Sequence, residues 1–177
     1  PAIFLVSYSI FEMIKRESNI NLDDIKYFAG HSLGEYSALA CGGAIAFDQT
    51  IKLLKVRGMA MQSAVPENTG GMIAVLGSDD KTIASLLEEN KKKYECFIAN
   101  DNSNGQLVIS GNNKDLDLLS VDLKKHSIKN IKLPVSAPFH CKLMQSATNE
   151  MEKEINNIEL VSPRRPIISN VTAKECK

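Results

Sequence analysis

The stretch Ala29-Gly30-His31-Ser32-Leu33-Gly34-Glu35-Tyr36-Ser37-Ala38-Leu39 holds a G-x-S-x-G pentapeptide between an apolar run and a helix-forming run. Ile25 to Ala29 suits a strand and Glu35 to Cys41 suits a helix. The pentapeptide therefore reads as a nucleophile elbow, in which the chain leaves a strand and enters a helix within one or two residues. Strand and helix backbones nearly touch in such a turn, which gives Gly30 and Gly34 a steric reason to flank Ser32. The turn lifts the Ser32 hydroxyl to a helix N-terminus, where free N–H groups and the helix dipole favour the negative charge of an acyl-transfer intermediate. The Leu33 N–H is the candidate oxyanion donor. A serine between two glycines also occurs in ordinary turns; the strand before it and the helix after it favour the elbow.

Around the elbow the chain alternates helical and extended patterns. Pro1 to Ser18 carries Ile3, Phe4, Val6, Ile10, Phe11, Met13 and Ile14 with little polar relief, which predicts a largely buried helix. Asn19 to Asp24 is the loop before the elbow strand. Gly42-Gly43 stops the elbow helix, and Asp48 is placed to N-cap the next one, which runs to about Ala64 because Pro66 disfavours helix in the residue before it. Arg57 falls within that helix with Leu53 and Met61 at i−4 and i+4, so its guanidinium lies on or beside the apolar stripe. Such an arginine snorkels outward, pairs with a carboxylate such as Glu35, or meets a ligand.

From Gly70 the texture changes. Strands over 72–76, 95–99, 106–110 and 130–135 and helices over 79–92 and 114–126 give the order βαββαβ, that of a ferredoxin-like subdomain. Asn100 to Gly105 reads as a turn-rich loop, in which Asn100 and Asn102 either form the turn or contact a ligand. Lys91-Lys92-Lys93 reads as a solvated helix end. Pro134 to His140 leaves this insert at a domain junction, where binding sites concentrate. A helix over 147–158, the breaking Pro163-Arg164-Arg165-Pro166 and a strand over 167–171 follow; Arg164 and Arg165 suit a surface turn or a landing patch for a partner. The expected architecture is α/β: an incomplete, α/β-hydrolase-like parallel-sheet domain over 1–67 and 137–177, with the ferredoxin-like subdomain over 68–136.

Composition excludes several classes. Lysine plus arginine and aspartate plus glutamate number 21 each, so no net field recruits nucleic acid or an anionic membrane. There is no apolar run of about 18 residues, and Pro1 to Met13 lacks the basic flank of a signal peptide. The chain reads as cytoplasmic. Cys41, Cys96, Cys141 and Cys176 are widely separated, with no C-x-x-C pair and no histidine cluster at metal spacing, so no metal is expected. Cys141 adjoins His140, but adjacent side chains in a strand point to opposite faces, which disfavours a Cys-His pair. Of three histidines, His126 ends a helix beside Lys124 and Lys125, and His31 should point away from its neighbour Ser32.

Gly30 to Leu39, Val56-Arg57-Gly58-Met59, Asn100 and Asn102 before Gly105-Gln106-Leu107-Val108-Ile109-Ser110-Gly111, and Pro134-Val135-Ser136-Ala137-Pro138-Phe139-His140 resemble the malonyl-CoA:acyl carrier protein transacylase family in order and spacing. The resemblance runs over essentially all 177 residues. Members begin with a glycine- and glutamine-rich loop before the first residue here and continue past the last, so the chain resembles the middle of the protein. It implies an acyl-carrier-protein S-malonyltransferase of fatty acid biosynthesis, with Ser32 as nucleophile, His140 as base and Leu33 in the oxyanion hole. Arg57 would bind the malonyl carboxylate, and Asn100 and Asn102 would face the cleft. Phe139 would exclude acyl groups larger than malonyl. Malonyl-CoA and acyl carrier protein are the implied substrate and partner, and no cofactor is implied. A polyketide-synthase-type acyltransferase would use the same chemistry. A serine esterase or thioesterase would share the elbow and histidine without needing Arg57.

Overall fold

A computed structural model describes residues 1–176, which fall into two compact units, 1–58 with 151–176 and 59–150. The sequence reading placed the junctions at 67/68 and 136/137.

In the first unit, α1 (Ala2–Glu17) and a 3₁₀ turn over Leu22–Asp24 lead into β1 (Phe28–Ala29). The elbow opens into α2 (Leu33–Cys41), and α3 (Phe47–Ser63) follows, its residues from Met59 on counted with the second unit. Gly42 and Gly43 end α2 as expected, Gly43 at φ 81°. Asp48 lies inside the first turn of α3 and is not its N-cap. The chain returns through α6 (Gln145–Asn156), β6 (Ile167–Ile168) and β7 (Glu175–Cys176). β1 pairs parallel with β6, and β6 antiparallel with β7. Both elbow-side strands are shorter than the apolar runs predicted.

The expectation of a largely buried first helix is corrected. Phe4 is its only buried residue, while Ile3, Val6 and Met13 are 68%, 61% and 51% exposed. Within these residues one stripe of the helix is covered, with Phe4 and Tyr8 packed at a tilt against Phe47.

The second unit contains β2 (Gly70–Leu76), α4 (Asp80–Glu89), β3 (Cys96–Ser103), β4 (Gln106–Asn112), α5 (Asn113–Lys125) and β5 (Lys129–Lys132). Its sheet is ordered β3-β4-β2-β5 with every neighbour antiparallel. Period-two alternation puts Ile73 and Val75 opposite Ile109 and Leu107 on one face, and the stripe Leu116, Leu119, Leu123 of α5 and Ile83, Leu86 of α4 cover them. Each such side chain, fully buried, contributes roughly 1.5–3 kcal/mol. Asp79 caps α4 by accepting the Thr82 N–H at 2.7 Å.

Two loop readings also change here. Asn100 to Ser103 continue β3 beyond its expected end, through register shifts after Ile98 and Asp101, so the turn shrinks to Asn104-Gly105. That dipeptide is the strongest short hairpin signal, with Gly105 at φ 77°. Lys93 is no mere solvated helix end: its ammonium meets the nearly buried Asp122 at 2.5 Å, with Lys125 on the other carboxylate oxygen at 3.0 Å. The two lysines hold the Asp122 carboxyl below its ordinary range.

Candidate active site

Ser32 sits between β1 and α2 at φ 55°, ψ −106°, a conformation that non-glycine residues avoid. Such backbone costs on the order of 1–3 kcal/mol and persists only where its surroundings over-determine it. The crowding expected at the elbow is real and one-sided. A Cβ on Gly30 would drive into the Gly34 carbonyl, whereas a Cβ on Gly34 meets nothing within 4 Å outside its own helix turn. The steric reason assigned to Gly34 is therefore corrected: its backbone, not its missing side chain, forms the wall.

Leu33 opens α2, so its N–H belongs to the first turn, whose N–H groups lack intrahelical acceptors. The Gly34 N–H donates to the His31 carbonyl at 2.9 Å, closing the turn around Ser32. The Leu33 side chain packs with Phe4, Ala40 and Leu54, anchoring that end of the helix.

Arg57 Nη2 donates to Ser32 Oγ at 2.9 Å. Its guanidinium carbon also lies 5.8 Å from the Tyr36 ring centroid, within cation–π range. Burial pushes the Tyr36 hydroxyl pKa up, so the phenol is neutral beside the cation. Among the described residues no ion pair joins Arg57 to Glu35, the carboxylate the sequence offered as its partner. Glu35 Oε1 instead accepts the Asn170 N–H at 3.3 Å. The arginine is thus turned inward onto the serine, and a planar, doubly donating cation stands where an acyl chain on Ser32 would begin.

Asn170 is the residue that sequence reasoning missed. Its Oδ1 accepts the Ser32 N–H at 2.6 Å and its Nδ2 donates to the Gly30 carbonyl at 2.7 Å. An asparagine two residues past the apolar pair Ile167-Ile168 was a weak signal, since the parallel pairing that brings it to the elbow spans the length of the chain. Arg165, left open as turn or landing patch, is occupied within the fold: it donates to the Ile25 carbonyl at 3.0 Å and the Asp23 carbonyl at 2.9 Å.

The other expected site residues belong to the second unit. His140 is exposed and takes φ 58°, in a tight turn after Ala137-Pro138-Phe139. That turn is fastened to the sheet, where Ser110 Oγ donates to the Phe139 carbonyl at 2.5 Å and the Pro138 ring lies against Gly70. Phe139 is half-buried, as is Asn100, while Asn102 is exposed; both asparagines are on β3. The Cys141 thiol donates to the Pro138 carbonyl at 3.1 Å, and burial raises its pKa. Among the described residues no group of three His, Cys, Asp or Glu side chains is placed to hold a metal ion. No helix among them is long and apolar enough to cross a membrane.

The structure thus sets Ser32 at a helix N-terminus with Arg57 on its hydroxyl. Residues 1–177 match the acyl transferase domain family, and the chain belongs to that family. It is 43% identical over 147 residues to the malonyl CoA-acyl carrier protein transacylase of Salmonella typhimurium, covering 82% of this chain and 48% of that protein. The solved malonyl CoA-acyl carrier protein transacylase of Coxiella burnetii superposes with TM-score 0.93 at 36% identity, over 99% of this chain and 55% of the other. A type II PKS acyl-carrier protein in complex with its malonyl-transacylase gives TM-score 0.93 at 35% identity, over 100% and 57% of the two chains. The chain therefore spans about half the length of the relatives it matches.

Proposed function

We propose that this chain carries the acyl-serine site of an acyl-carrier-protein S-malonyltransferase, which moves malonyl from malonyl-CoA to the phosphopantetheine thiol of an acyl carrier protein. The observation that carries the reading is the 2.9 Å contact from Arg57 Nη2 to Ser32 Oγ. A neutral acyl group has no use for a guanidinium at that place; a malonyl group presents a carboxylate to it.

In this reading Ser32 Oγ attacks the thioester carbonyl carbon while His140 takes its proton. The Leu33 N–H stabilises the resulting oxyanion, the C–S bond breaks, and His140 returns the proton to the departing CoA sulfur. The malonyl-serine ester is held by Arg57 until the carrier thiol attacks and the steps run in reverse. Asn100, Asn102 and Phe139 line the acyl cleft, with Phe139 opposing a methyl at the α-carbon. No cofactor enters the chemistry, and a cytoplasmic setting suits both substrates.

The fold reading is an α/β-hydrolase-like domain, 1–67 and 137–177, with a ferredoxin-like insert over 68–136. The β2-α4-β3-β4-α5-β5 order and antiparallel sheet support the insert, and the parallel β1–β6 pair beside the elbow supports the host domain. The type II PKS relative supports a second reading, in which the same malonyl transfer serves polyketide assembly. Intact-mass spectrometry of the full chain after incubation with malonyl-CoA tests the proposal. A malonyl adduct that disappears in Ser32→Ala is expected; an adduct that survives the substitution refutes the assignment.

A further inference from the structure

We propose that Asn170 is the positioning residue of the elbow, its side-chain amide holding Ser32 in the strained backbone conformation that presents the hydroxyl. This rests on the reading of Ser32 as the acyl-accepting nucleophile. β1 and β6 run parallel with Phe28 opposite Ile167 and Ala29 opposite Ile168, so the next rung would set Gly30 against Ser169. Ser169 uses its backbone elsewhere: its N–H donates to the Lys174 carbonyl at 3.0 Å and its carbonyl accepts the Ala173 N–H at 2.9 Å. At that point the elbow leaves the ladder, and its polar backbone groups need other partners.

The Asn170 amide supplies them. A primary amide carries a donor and an acceptor in one plane, as a peptide group does. Oδ1 takes the Ser32 N–H at 2.6 Å and Nδ2 gives to the Gly30 carbonyl at 2.7 Å. The backbone N–H of the same residue reaches Glu35 Oε1 at 3.3 Å, one turn into α2. One residue thus binds the positions before, at and after the nucleophile, and fixes the φ 55° turn between them. Shorter side chains reach neither group, and Asp keeps only the acceptor.

The test uses the full chain as wild type, Asn170→Ala and Asn170→Asp, with two independent readouts. The first is hydrogen exchange of the Ser32 amide. The second is the rate constant for acylation of Ser32, by malonyl-CoA and separately by an alkyl fluorophosphonate, per titratable serine. Asn170→Ala should speed Ser32 exchange and slow both acylations by about tenfold or more, the scale of one or two lost hydrogen bonds, with KM for malonyl-CoA within about twofold. Asn170→Asp should keep most of the exchange protection and fall between in rate. Unchanged exchange in Asn170→Ala overturns the clamp. A reduced titre at an unchanged rate per site overturns the positioning role, because damage to folding alone removes sites without slowing those that remain. If wild type reacts with the fluorophosphonate and not with malonyl-CoA, the malonyl reading fails while the probe still decides the clamp. A Ser32 that reacts with neither removes the nucleophile and the positioning role together.

Discussion

The two units are built by different physics. The second has one apolar core in which ten buried side chains from β2, β4, the two helices and Tyr94 interlock. The first has two clusters of three buried residues each, and pairs its strands over two residues at a time. It also carries directed polar contacts around the elbow: Arg165 on the chain entering β1, Asn170 on the elbow, Arg57 on Ser32. Area burial stabilises a fold without caring which atom sits where, whereas hydrogen bonds place individual atoms.

The largest effect that would break this comparison comes from the elbow glycines. Gly30→Ala puts a methyl into the Gly34 carbonyl and should cost about 4 kcal/mol or more, read as loss of Ser32 acylation. Gly34→Ala meets open space and should be near neutral or stabilising by about 1 kcal/mol, since alanine is the better helix former. Equal damage from both would mean that the wall is not where the structure puts it.

Core truncation should come next. Ile109→Ala, fully buried beneath α5, should lower the unfolding free energy by about 2–5 kcal/mol in denaturant titration. Ile10→Ser, on the outward face of α1 at 48% exposure, should stay within about 0.5 kcal/mol. A large loss from Ile10→Ser in this stretch of chain would contradict its exposure there.

A smaller effect is a loss of stability at alkaline pH, to which both units contribute, since burial also pushes the Cys41 thiol of the first unit up to about 11. Burial pushes the Cys96 thiol and the Tyr94 hydroxyl, both in the second unit, up to about 12. Their unfolded values lie near 9 and 10, so the unfolded chain releases these protons first as pH rises. Stability from the neutral groups is therefore complete below about pH 9 and is lost as pH climbs toward 12. Circular dichroism from pH 8 to 12 should show the decline, and Cys96→Ala should flatten part of it; a slope unchanged in that variant would contradict the assignment.

Much of this was legible in the sequence, for reasons that differ by region. The βαββαβ order was readable because each element there obeys its own local period, and the Asn104-Gly105 turn was readable except that its length was overestimated. The exposed faces of α1 in this stretch of chain were not legible, because a helix's pattern says which faces are apolar, not which of them these residues cover. In the site, Ser32 and Arg57 announced themselves by motif and by a cation on an apolar stripe, and the structure brings them into contact. Asn170 gave only a weak signal, because its contact with the elbow joins residues 138 positions apart.

The central claim is that Arg57 makes the elbow serine a site for an acid-bearing acyl group. The direct test is the ratio of kcat/KM for malonyl-CoA to that for acetyl-CoA in wild type, Arg57→Lys and Arg57→Ala. Arg57→Ala should lose about 2–5 kcal/mol of malonyl transition-state binding, the scale of removing one partner from a desolvated charge pair. Acetyl transfer should hold or rise, and Arg57→Lys should fall between because it keeps the charge and loses the planar fork. A malonyl-to-acetyl ratio that collapses in this order supports the account. Equal losses for both substrates would show that Arg57 serves the fold alone, and would contradict it.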